Sequence, residues 1–184
     1  MDTSTLSEFD WFEKFFPDGA ILKNMRGKEK VLSFCLLWMT FEKYACNTDA
    51  NFKVLKEVVD DKLLNTTKID ISVFASQIGY FRTRYINPDG SINESRVNSL
   101  NDKNTNRGKK VSDAIKDFLI NTPSNSEPTI LLGLLCIVYR LRNNLLHGVK
   151  DPTTLDEQLE LFTYASKVLM NVLEHLKMTG NTPF

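Results

Sequence analysis

Residues 130–147 read ILLGLLCIVYRLRNNLLH, and this stretch decides the fold. At about 100° per residue, Ile130, Leu131, Leu134, Leu135, Ile137, Val138, Leu141, Leu145 and Leu146 fill one broad apolar arc of a helix. The other arc holds Gly133, Cys136, Arg140, Asn143, Asn144 and His147, with the last four at i, i+3, i+4 and i+7. A helix with so wide an apolar arc needs other helices around it. Pro128 suits its first turn, Ser126 can cap it, and Gly148 is a natural left-handed terminator. Arg142 breaks the pattern, because it projects into the apolar arc, where a guanidinium loses hydration and must find partners. One reading is that it reaches past the helix end to water or pairs with a carboxylate.

Working outward, Val111–Ile120 predicts a short helix, stopped by TPSNSEP (122–128). Before it, NPDGSINESRVNSLNDKNTNRGKK (87–110) is rich in Asn, Ser, Asp and Gly with little apolar periodicity. It reads as a long mobile loop, with room for a short helical turn. Asp70 or Ser72 can cap a helix carrying Val73, Phe74, Ile78, Phe81 and Tyr85, although KIDISVF (68–74) alternates enough for a strand. Asp49 can cap another with Phe52, Leu55, Val58, Val59 and Leu63 at helical spacing. EKVLSFCLLWMTFEKYA (29–45) is apolar around most of a helix circumference, which places it at the centre of the fold. Leu6–Phe16 is a short amphipathic piece ended by Pro17-Asp18-Gly19. After Asp151-Pro152, Thr153 or Thr154 can cap a final helix to about Lys177, with Leu155, Leu159, Phe162, Val168, Leu169, Val172, Leu173 and Leu176 inward. The expectation is an all-α, compact multi-helix bundle, one domain over 1–184.

Composition narrows the function classes. Hydrophobic residues make up 42% and charged residues 25%, the balance of a globular chain. Twenty-three basic side chains match twenty-three acidic ones, so no overall field recruits nucleic acid or anionic lipid. A polyanion would need a local patch, and Lys103, Arg107, Lys109 and Lys110 form one, with solvated loop charge as the plainer account. Cys35, Cys46 and Cys136 read as reduced, buried thiols. Two histidines without close Cys/His spacing argue against a metal site, and no cofactor motif stands out. MDTSTLSEFDWF lacks a basic leader region, and the apolar run 130–139 is shorter than the roughly 20 residues of a membrane span. A cytoplasmic protein without membrane contact is therefore expected. His175 reads as a boundary residue, and Arg82 and Arg84 beside Phe81 and Tyr85 as surface charge, with base stacking the alternative.

Arg142-Asn-Asn-Leu-Leu-His-Gly148 resembles the signature of HEPN domains, in the Arg-Asn-Asn-Leu-Phe-His-Gly form of the Apea-like group. Residue types, spacing, trailing glycine and position at a helix end agree, while SFCLLWMTFE (33–42) is similar to that group's early aromatic-rich helix. The resemblance implies a helical bundle that forms a homodimer through the motif-bearing helix, bringing two motifs into one cleft. Catalytic members are metal-independent RNA endonucleases. Carried across, Arg142 would stabilise charge on the scissile phosphate, His147 would act as general base or acid on the ribose 2′-OH, and Asn143 would help orient the site. The chemistry suits these residue types. Guanidinium binds phosphate bidentately, imidazole moves protons near neutral pH, and RNA carries its own nucleophile.

Helical geometry sets Arg140 beside His147, whereas the resemblance nominates Arg142; a shared dimer cleft or unwinding ahead of Gly148 would reconcile them. Arg142 is taken as the transition-state residue and Arg140 as a phosphate-positioning helper, with Asn144, Lys109 and Lys110 as further RNA contacts. A toxin or defence effector acting on RNA is the leading expectation, with room for an antitoxin or regulatory partner. A non-catalytic module binding RNA or protein, and a purely structural dimerisation domain, are the alternatives.

Overall fold

The computed structural model describes residues 25–65, 67–100, 106–120, 126–146 and 158–180. Among them every regular element is helical, and the strand option for 68–74 is not taken. We number the helices α1 Met25–Tyr44, α2 Phe52–Glu57, α3 Ala75–Tyr85, α4 Glu94–Asn98, α5 Asn106–Ile120, α6 Glu127–Leu146 and α7 Leu159–Met178. A π-helical turn, Val58–Leu63, extends α2, and a 3₁₀ turn, Ile71–Phe74, leads into α3. None of these helices is long and apolar enough to cross a membrane.

The central element is α6 rather than α1. Between Leu131 and Leu141 only Leu132 and Tyr139 escape full burial. Neighbouring helices thus occupy nearly the whole circumference of α6, as its wide apolar arc demands. Helix α1 packs one side only, through Phe34, Trp38, Phe41 and Ala45, chiefly against α7; Phe34 meets Phe162 with ring centroids 5.2 Å apart. Its opposite side leaves Leu32, Leu36 and Met39 more than half exposed, at 60%, 56% and 63%. The expectation that α1 lies at the centre is therefore corrected. Apolar residues all round α1 make any face eligible for burial, and packing among the described residues, chiefly against α7, decides which is covered.

Helices α5 and α6 form the tightest pair. A Cβ added to Gly133 would stand 2.2 Å from the Phe118 Cβ and 3.2 Å from the Ala114 carbonyl oxygen, so only glycine permits this approach. The two helices pack against each other over more residues than any other pair of helices among the described residues.

Where described, the stretch 87–110 holds a bridge, the short helical turn for which the sequence left room, and the start of α5. Ile86 and Ile92 form an isolated antiparallel bridge around a tight turn in which Gly90 takes φ 84°. The Asp89 carboxylate accepts from the Ser91 N–H at 2.9 Å, and Asn93 caps α4 by accepting from the Arg96 N–H at 3.0 Å. Helix α5 then begins at Asn106, ahead of the expected Val111. The Asn, Asp and Ser residues that hid the periodicity are the ones fastening the backbone. Two further caps differ or hold. Asn51, not Asp49, caps α2, accepting from the Lys53 and Val54 N–H groups at 3.0 and 3.2 Å; Asp70 accepts from the Ser72 N–H as expected.

Buried in this core are Cys46 and Cys136, while Cys35 is half-buried, and all three thiols are free. In the final helix Phe162, Val168, Leu169, Val172, Leu173 and Leu176 face inward as expected, and the 153–157 cap and Leu155 lie outside the described residues.

Candidate functional site

The polar arc of α6 has two different fates. Arg140, 6% exposed, donates from Nε to the Leu100 carbonyl, and Asn144, 5% exposed, donates from Nδ2 to the Ser99 carbonyl at 2.9 Å. Both acceptors lie just past the end of α4, where helix carbonyls have lost their own partners. With Gly133 against α5, the arc is thus an inner seam holding α4 and α5 onto α6. Arg140 and Asn144, expected at the RNA, have their head groups on the protein's own backbone.

Arg142 lies elsewhere, on the α1 side. Its Nη1 donates to the Asn143 side-chain oxygen at 3.0 Å, and its Nη2 lies 3.4 Å from Glu42 Oε2. Its Cζ sits over the Trp38 ring, 5.6 Å from the centroid, a cation–π geometry. Trp38 Nε1 donates to the same Glu42 oxygen at 3.0 Å. One indole therefore fixes the carboxylate with its edge and carries the guanidinium on its face. The pair is partly open, the Arg142 and Glu42 side chains being 26% and 22% exposed. Among the described residues the buried Arg142 Nε meets no hydrogen-bond partner. Beside the pair lies a cavity of about 90 Å³, room for several water molecules, lined by Phe34, Cys35, Trp38, Met39 and Leu145 along with Glu42 and Arg142. Carboxylate pairing, one of the two bland readings of Arg142, is what the fold adopts.

His147, with Gly148, lies outside the described residues. Asn143 is half-buried beside Arg142. Lys109 and Lys110 are exposed on the first turns of α5. Lys103 falls outside the described residues, as does the Arg107 side chain.

A larger, open depression of about 580 Å³ lies away from the motif, between the end of α3 and α4. Two guanidiniums line it, and both serve helix ends: Arg82 Nη2 donates to the Phe118 carbonyl at 3.3 Å and Arg96 Nη1 to the Arg84 carbonyl at 2.8 Å. Arg82 also lies over the Phe118 ring, and Arg84 over that of Tyr85.

Sequence reading missed Glu42 and Trp38 as partners of Arg142. A signal was present. Glu42 is the lone acidic residue between Lys30 and Lys43, and it stands four positions after Trp38, one helical turn away.

No protein-family model, curated protein or solved structure matches this chain.

Proposed function

We propose that the protein is a metal-independent RNA endonuclease of HEPN type, a toxin or defence effector whose working pair is Arg142 and His147. The observation that carries this reading is the state of Arg142. A guanidinium held in the last turns of α6, five residues before His147, keeps one long carboxylate contact and a buried Nε with no partner among the described residues. Such a group is incompletely satisfied by its own fold and suited to an oxyanion that presents two oxygens. Its role is to hold the scissile phosphate and stabilise the charge that grows there. His147 takes the 2′-OH proton or returns one to the leaving oxygen. Asn143 steadies Arg142, while Lys109 and Lys110 attract the neighbouring strand. Arg140 and Asn144 act indirectly, by fixing the α6–α4 seam. In a dimer, the exposed Leu32, Leu36 and Met39 of α1 are the surface for the second copy.

The test is RNA incubated with purified protein in EDTA, wild type against His147→Ala. Loss of cleavage in the variant is the expected result. Equal cleavage by both, or none by either, removes the assignment.

A structural reading is favoured by a different observation, the commitment of Arg140, Asn144 and Glu42 to contacts within one chain. On that reading Arg142→Ala lowers the denaturation midpoint while RNA binding is absent in the wild type as well.

A further inference from the structure

Glu42 and the proposed substrate ask for the same guanidinium. In the fold Arg142 gives Glu42 a single contact through one carboxylate oxygen at 3.4 Å, longer than the 2.7–2.9 Å usual of charge-assisted bonds. That oxygen is shared with Trp38 Nε1, which holds it at 3.0 Å. A phosphate meeting Arg142 in a two-pronged fork would satisfy it better, yet it cannot sit beside an ionised Glu42 without repulsion. A cavity bounded by Phe34 and Leu145 lies beside the guanidinium.

We propose that Glu42 is a positioning residue and internal rival of the substrate: it parks Arg142 on Trp38 in a charge-neutral pair, and an RNA phosphate binds by displacing it. The inference rests on the reading of Arg142 as a phosphate ligand. Glu42 makes no contact with RNA in the bound state; it sets how much of the Arg142 charge RNA can use. Trp38 tunes the rivalry, because its N–H holds the carboxylate in place while its face holds the cation. The exchange is non-covalent, so the apparent affinity for RNA is lowered by the strength of the internal pair.

Glu42→Gln is the informative change. The amide oxygen can still accept from Trp38 and Arg142, so packing is kept while the negative charge goes. A dye-labelled, 2′-O-methylated single-stranded oligonucleotide that cannot be cut is titrated in EDTA, with binding read by anisotropy over a range of salt. Glu42→Gln is expected to bind about fivefold tighter or more, the scale of a partly exposed ion pair. Its log–log salt slope should steepen by about 0.7, the value for one more neutralised phosphate on a single strand. The gain should vanish in Glu42→Gln/Arg142→Gln. Trp38→Phe, which keeps an aromatic face but frees the carboxylate, should shift affinity while the fold, checked by circular dichroism, remains.

If Glu42→Gln binds equally or more weakly while Arg142→Gln loses binding, the rivalry is overturned and the reading of Arg142 stands. If wild type, Glu42→Gln and Arg142→Gln all fail to bind, or bind alike, the reading of the site falls and takes the rivalry with it.

Discussion

At the scale of single residues, the two arginines of the motif region divide between interior and rim. Arg140 is the inner one: its Nε meets the Leu100 carbonyl in a place with 6% exposure. Arg140→Met keeps an unbranched apolar stem and removes the guanidinium donor, leaving a buried carbonyl without that bond. Urea denaturation should show a loss of about 1–3 kcal/mol, the usual penalty for stranding a buried polar group. A change within measurement error would mean that the seam is not held there. Helical spacing correctly put Arg140 on one face with Asn144 and Arg142 on another. It could not say that the first face would be covered, because the covering piece, α4, comes from the stretch whose asparagines masked its order. Thiol chemistry follows the same division. Burial, together with Glu42 and Asp49 nearby, pushes Cys46 up to about 12, Lys62 working against it; burial alone raises Cys136. Both are thereby kept as unreactive thiols.

At the scale of elements, the α5–α6 pair depends on the missing side chain at Gly133. Gly133→Ala would drive a methyl into the Phe118 Cβ, and helix propensity, which favours alanine, cannot compensate for a backbone that must move apart. Thermal or urea unfolding should show a net loss of about 1–3 kcal/mol. Equal stability of wild type and Gly133→Ala would show that the helices pass farther apart. Most helices were legible as helices because their apolar residues recur at the proper spacing, and the last helix was legible even to its inner face. Which side of α1 faces out was not legible. Leu32, Leu36 and Met39 are as apolar as Phe34, Trp38 and Phe41, and the positions of α7 and of the end of α6 separate them. The pairing of Glu42 with Arg142 was hidden for a related reason, since it joins residues a hundred positions apart.

For the whole molecule, the arrangement is a hub with satellites: α6 runs through the centre, α5 and α4 close one side, and α1 and α7 pack together as a second layer. The hub is not fastened equally along its length. Near Gly133 it is gripped by backbone close approach and buried leucines, whereas its last turns are held by hydrogen bonds from Arg140 and Asn144 and by a half-open ion pair. Amide hydrogen exchange should therefore be slowest around Leu134–Val138 and distinctly faster from Asn143 to Leu146. Uniform protection along the helix would contradict this gradient.

The grip at Gly133 has a mechanical consequence. A rod clamped close to its base and tied by removable knots at its tip can swing the tip while the base stays still. For α6 this means that the end bearing Arg142 can change its angle mainly by undoing a few polar contacts, while the leucines packed around Gly133 stay in place.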